Sequence, residues 1–215
     1  ALPICLMDLS QLKIADCMGC FSCWVRTPGR CVIRDDAVGV YPLIAHSDHV
    51  IYVSRLFCGS YDVPMKTMLE RAIPIQQAFI RIHHGETHHI QRAVAEKDAV
   101  ILAYGDTGDE EQALFRLLAA RNAHNMLFRS WSVRFLREEE LAGPVRSRFF
   151  ERLPKFFQIV SAVWYPWTLR VWLAGAGSTR TGMTRRSGGR IRMGRSATGT
   201  SLVALWRGSR RNWTI

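Results

Sequence analysis

Four cysteines fall within fifteen residues of this chain, at Cys17, Cys20, Cys23 and Cys31, in the spacing C-x2-C-x2-C-x7-C. Three thiolates two residues apart can wrap one small inorganic centre, and a fourth from a longer loop can close it, as in a 4Fe-4S cluster. Gly19, Pro28 and Gly29 supply the irregular backbone that such wrapping needs. Zinc also takes four thiolates, although its ligands more often come as two separated pairs. Free cysteines can also behave as small buried hydrophobes, so a loop of unligated thiols lining a pocket is a third reading. The spacing leaves all three open. Cys5, inside an apolar run, reads as a packing residue, and Cys58 falls in a loop. Clustered thiols with no secretory signal ahead of them suit a reducing, cytoplasmic setting.

A second group of ligating residues is "HHGETHH", residues 83 to 89, with four of the seven histidines and Glu86. Two imidazoles and a carboxylate could hold zinc or another first-row metal. The segment reads as a long loop without a second signature, so no metal is assigned to it. Asp35 and Asp36, adjacent at the start of a helical segment, read as caps rather than an acid-base pair. No Ser-His-Asp order or phosphate-loop pattern is present.

The elements that must position these residues alternate between short apolar runs and helical segments. Ile4 to Leu9, "HVIYVS" (49 to 54) and "DAVILAY" (98 to 104) read as strands, the last two as buried parallel ones, and "SWSVRFL" as one more. "DDAVGVYPLIAHS", "VPMKTMLERAI" and "TGDEEQALFRLLAARNAHNML" read as helices. In the third, Thr107 and Glu110 have capping-box spacing, and Leu114, Leu117 and Leu118 form the apolar stripe. This rhythm predicts an α/β fold with a mostly parallel sheet, whose ligands sit beyond the carboxyl ends of the strands. Two glycine-containing loops lie there, 54 to 62 and 104 to 109.

The cysteine segment "CMGCFSCWVRTPGRCVIRDD", followed by "SDHVIYVSRLFCGSYDVPMKTMLERAIP", resembles the flavodoxin-like family of NADPH-dependent FMN reductases. Its cysteine spacing is similar to that of the iron-sulfur flavoproteins within that superfamily. The resemblance, from about residue 4 to about residue 135, implies a flavodoxin-like doubly wound parallel sheet of order 2-1-3-4-5 with FMN at the switch point. It implies an FMN-dependent oxidoreductase passing electrons between NAD(P)H or a protein carrier, the flavin and a 4Fe-4S cluster. Leu56, Phe57, Cys58, Gly59 and Ser60 would lie against the flavin ring. Tyr104, Gly105, Asp106, Thr107 and Gly108 would flank its other side, and Cys17, Cys20, Cys23 and Cys31 would hold the cluster. A homodimer or higher homo-oligomer is implied too. Two departures stand out: the family's first strand and phosphate-cradling loop have no counterpart before Leu2, and Arg55 stands where proline is usual. The sheet is therefore expected to lack its central strand, as in a chain missing its beginning, and such a fragment could have little activity of its own.

Charge divides the chain. From residue 152 onward there are eleven arginines, one lysine and no acid, +12 against a total of +11, which leaves −1 for residues 1 to 151. Residues 1–150 read as a truncated flavodoxin-like domain, 151–177 as an apolar, aromatic segment and 178–215 as an Arg-rich disordered tail. "FFQIVSAVWYPWTL" is too short before Arg170, and broken at Pro166, for a membrane span. Trp164, Trp167, Trp206 and Trp213 among the arginines could stack bases. A nucleic-acid-associating arm is thus the rival reading, but composition alone favours a solvated tail without a partner or sequence read outside the ancestral frame.

Overall fold

The computed structural model describes residues 4–142 and 201–206. It divides the chain into two units, residues 1–136 with 198–215, and residues 137–197. Of the second, only the short helix Glu138–Ala142 is described. The apolar segment 151–177 and the rest of the arginine-rich tail lie outside the described residues.

The first unit is built on a sheet of order β1-β8-β2-β6-β7, an α/β architecture compatible with the flavodoxin-like expectation. Its strands are β1 (Ile4–Asp8), β2 (His49–Phe57), β6 (Lys97–Tyr104), β7 (Phe128–Leu136) and β8 (Leu202–Trp206). In β2, Val50, Tyr52, Ser54 and Leu56 are buried in strict alternation, whereas β6 is buried from Ala99 to Tyr104 without a break. A strand covered on both faces has no polar side, which explains its continuous apolar reading. β2, β6 and β7 run parallel, with Arg55 opposite Tyr104 and Tyr104 opposite Leu136.

The place beside β2 is filled from the far end of the sequence. β8 lies between β1 and β2 and runs antiparallel to both, so the sheet is mixed rather than wholly parallel. The disordered-tail expectation is therefore corrected for Leu202–Trp206. Val203 is wholly buried and Leu205 nearly so, and each such side chain stabilises by about 1.5–3 kcal/mol relative to exposure. Without β8, β1 and β2 would each present an unpaired edge. The Ser201 carbonyl accepts from the Leu9 amide at 2.9 Å, and its hydroxyl donates to Asp62 Oδ1 at 3.0 Å, which pins the start of the strand.

The helices are α1 (Ser22–Val25), α2 (Ala37–His46), α3 (Val63–Glu70) and α4 (Asp109–Asn125). Asp62 caps α3 by accepting from the Met65 amide at 3.2 Å. The expected capping box on α4 does not form. Gly108 is the N-cap, and Thr107 accepts from the Gln112 amide group instead. Asp109, Glu110 and Glu111 still place negative charge on the first turn, where the helix dipole favours it. The expected leucine stripe is corrected in part: Leu118 packs against the core, but Leu114 and Leu117 are exposed, while Phe115, Ala119 and Ala123 are buried. Two alanines let the helix approach the sheet closely, and Phe115 packs edge-on against Tyr61 at 4.8 Å.

The histidine-rich segment is a second, two-stranded sheet rather than a loop. β4 (Gln76–His83) and β5 (Glu86–Gln91) pair antiparallel, with His83 opposite Glu86. His84 and Gly85 form the turn, both at positive φ (51° and 78°), the conformation that a two-residue hairpin requires.

Candidate functional site

β1 delivers the chain into a segment with little regular structure, and buried charge rather than secondary structure holds it in place. The Lys13 amide donates to Asp36 Oδ2 at 2.7 Å, and the Ala15 amide to Asp35 Oδ2 at 2.8 Å. The two aspartates thus tie the approach to the cysteines. Asp35 also accepts from the Ala37 amide, as a helix-start residue can, while Asp36 makes no side-chain cap.

Arg71, at the end of α3, is 1% exposed and is the centre of this arrangement. Its guanidinium forks onto Asp35, Nη1 to Oδ2 at 2.6 Å and Nη2 to Oδ1 at 2.8 Å. It also donates to the Ala15 carbonyl at 2.7 Å and to Cys31 Sγ at 3.4 Å. Burial works against the charge on Arg71, but the Asp35 hydrogen bonds and nearby Cys31 outweigh it and hold the group firmly protonated. Burial likewise opposes ionisation of Asp35, yet Arg71 and the Ala15 amide keep its carboxyl below the usual range.

The cysteines converge around this pair. Gly19 (φ 63°) and Phe21 (φ 53°) bend the backbone on either side of Cys20, α1 supplies one turn carrying Cys23, and Gly29 (φ 84°) returns the chain. The Gly29 amide donates to the Cys23 carbonyl at 3.0 Å, and the Cys31 amide to the Tyr41 hydroxyl at 3.1 Å. Cys17, Cys20, Cys23 and Cys31 all line one concavity, with Arg71 and Ile73 at its wall. No disulfide joins them. Burial, then the charge of Cys31, pushes the Cys23 thiol up, and Cys17 and Cys20 add to the repulsion. Hydrogen bonding from Ser22 pulls Cys20 down.

The spread of the sulfurs matters. Among the described residues, His83, His84 and His124 are the one group of three ligating side chains whose donor atoms all lie within 4.8 Å of one another. The four cysteines form no such group. One zinc ion with Zn–S bonds of about 2.3 Å would set its sulfurs about 3.8 Å apart. A cube of iron and sulfide stands its ligands further off, because metal atoms and bridging sulfides lie between them.

The two loops expected beside a flavin lie next to each other at the carboxyl edge. Gly105 (φ 125°) sits against Arg55: a side-chain carbon there would stand 3.7 Å from Arg55 Cγ and 3.9 Å from the Leu56 carbonyl oxygen. The first loop is tighter than the sequence suggests. β2 continues to Phe57, and Cys58 and Gly59 turn the chain at once into β3 (Ser60–Tyr61). Leu56 and Tyr104 are in the core, so only their backbone can meet a ligand. Phe57, Cys58, Asp106 and Gly108 are exposed, and Ser60, Gly105 and Thr107 half-buried. Gly59 is enclosed by Leu114, and its amide donates to Glu111 at 3.2 Å. Asp62 carries no motif in the sequence, yet its Oδ1 accepts from Ser54, Ser201 and Met65 while its Oδ2 is buried without a partner among the described residues. α3 runs from this edge to Arg71, so the two regions are linked by a helix of about 12 Å.

One stretch of the chain is similar to an iron-sulfur flavoprotein. Over 68 residues it is 36% identical to that protein of Archaeoglobus fulgidus, a match covering 32% of this chain and 30% of the relative. No family model matches the chain, and no solved structure matches it significantly. Among the described residues, no helix is long and apolar enough to cross a membrane.

Proposed function

We propose that this chain is a flavin-dependent oxidoreductase of the iron-sulfur flavoprotein type, with FMN at the carboxyl edge of β2 and β6 and a 4Fe-4S cluster held by Cys17, Cys20, Cys23 and Cys31. The observation that carries the reading is the convergence of four unpaired thiols on one concavity. Four thiolates repel one another, and a cationic centre removes that cost. Arg71 suits the same role: a buried N–H directed at Cys31 stabilises negative charge on sulfur, a contact that tunes such centres. Partial identity to an iron-sulfur flavoprotein supports the cofactor pair.

When bound, the flavin accepts a hydride from NAD(P)H and the cluster moves single electrons. The chain's own part is placement. Phe57 and the exposed turn at Cys58 offer a surface for a flat ring, and Arg55, packed against Gly105, brings a cation beside it. Asp35 fixes Arg71, and Arg71 fixes the path of Cys31. A homo-oligomer in the cytoplasm fits this reading.

The experiment is an anaerobic absorption spectrum of the purified chain supplied with FMN, iron and sulfide, followed by NADPH or NADH. Flavin bands that bleach with the nucleotide, above a broad shoulder that Cys20→Ser removes, are the expected result. A colourless protein that retains no FMN contradicts it. The nucleic-acid alternative draws on residues outside the described ones, and no described feature adds to it.

A further inference from the structure

His83 ends β4, His84 opens the following turn, and His124 occupies the last turn of α4, forty residues further along. The fold brings one ligand atom from each within 4.8 Å of the others. Their rings are in contact: His83 and His84 at 4.3 Å between centroids, His84 and His124 at 5.0 Å, His83 and His124 at 5.7 Å. Packing three imidazoles together is unfavourable when they are protonated, and the pull of nearby Glu86 on His124 only partly offsets it. Burial, then neighbouring cationic groups, lowers the affinity of His83 and of His124 for a proton. Neutral imidazoles carry the lone pairs that a metal takes up.

A layer of supporting groups stands behind the three. His88, buried on β5, lies 5.2 Å from the His124 ring, and its own nitrogens are occupied by Asn125 Oδ1 at 3.0 Å and Glu86 Oε2 at 3.2 Å. Glu86 is in turn held by Arg121 at 3.0 Å. Such outer hydrogen bonds orient metal sites. His89, the next residue along β5, faces the opposite way and stacks on Trp24, so the strand's alternation separates the histidine group from the cysteine segment.

We infer that His83, His84 and His124 form a binding site for one divalent first-row transition ion, zinc being the probe of choice, with its remaining coordination position open to water. Three nitrogen donors and an open position are the composition of an exchangeable or catalytic site rather than a closed structural one. Zn–N bonds of about 2.0 Å need donors about 3.3 Å apart, so a group already within 4.8 Å closes with small ring rotations. The ion would tie the β4-β5 hairpin to the end of α4. This site uses no cysteine and does not depend on the flavin reading.

The test is a zinc titration of the full chain by calorimetry, with thermal unfolding alongside, comparing the native sequence with His124→Ala, His84→Ala and Cys20→Ser. The expected result is one equivalent of zinc that raises the unfolding temperature, weakened at least about 100-fold by either histidine change and retained by Cys20→Ser. His84 is an exposed turn residue, so its variant keeps the test valid should His124→Ala fold poorly. Cobalt(II) added to the native chain should give the visible bands of a nitrogen-ligated site without thiolate charge transfer for that equivalent. A zinc stoichiometry that neither histidine variant lowers, or a loss of all zinc with Cys20→Ser, overturns the inference.

Discussion

The cysteine concavity and the histidine group are opposites in construction. The four thiols are neighbours in sequence, carried by an irregular loop around one concavity with a guanidinium at its wall. The three imidazoles come from a hairpin and a distant helix end, and the fold alone brings them together. Proximity along the chain is therefore only one of two ways in which a donor set can be assembled. We propose a cluster of several atoms for the first set and a single ion for the second.

The strongest way to break this contrast is to remove what props the cysteine side. Asp35→Ala leaves the buried Arg71 guanidinium without its carboxylate and frees the Ala15 and Ala37 amides. We expect a loss of about 3–5 kcal/mol in urea unfolding, the range for a broken buried pair. Iron retention should fall with it while zinc affinity at the histidines holds. A loss below about 1 kcal/mol would mean that the loop stands without this pair.

Leu205→Ala probes the strand that supports β1, and through it the entry to the cysteine segment. Leu205 is 1% exposed between β1 and β2, so the change should cost about 2–5 kcal/mol by chemical denaturation. Were residues 202 to 206 an irregular tail, the cost would be within about 0.5 kcal/mol.

The histidine side can be sharpened through pH. Lys97 is fully buried beneath the end of α4, where its ammonium donates to the Ala95 and Met126 carbonyls. Desolvation pushes its pKa down to about 8 from 10.5, against a weaker opposing pull from Asp48. Between those values the unfolded chain binds more protons than the folded one, so stability rises as pH climbs from about 8 toward 10.5. Below pH 8 both states carry the proton and the burial cost is present in full. The gain approaches about 3 kcal/mol, read as a rising denaturation midpoint that Lys97→Met abolishes.

Much of this arrangement was legible because burial leaves a mark in composition. The continuous apolar run of β6 and the β-branched run of β2 announced a parallel pair, and the spacing of Cys17, Cys20, Cys23 and Cys31 marked the segment that lines one concavity. What escaped was decided by distant partners. Nothing local marks "LVALW" as a central strand while it sits among arginines and glycines; only the gap between β1 and β2 gives it a place. Asp35 reads as a cap until Arg71, thirty-six residues on, arrives beside it. The leucines of α4 formed the more hydrophobic stripe, but Phe115 and two alanines fit the sheet more closely. "HHGETHH" looked like a loop because its alternation is carried by polar residues, although His84-Gly85 has the composition of a hairpin turn. His124 carries no sign of belonging to that group.

The central claim is that the four thiols lining one concavity hold a cluster. Iron and acid-labile sulfide should therefore be counted per chain after anaerobic reconstitution, in the native protein and in Cys20→Ser. The account predicts about four of each in the native chain and a large loss in the variant. A single metal ion without sulfide, or iron that remains when Cys20 is gone, would contradict it.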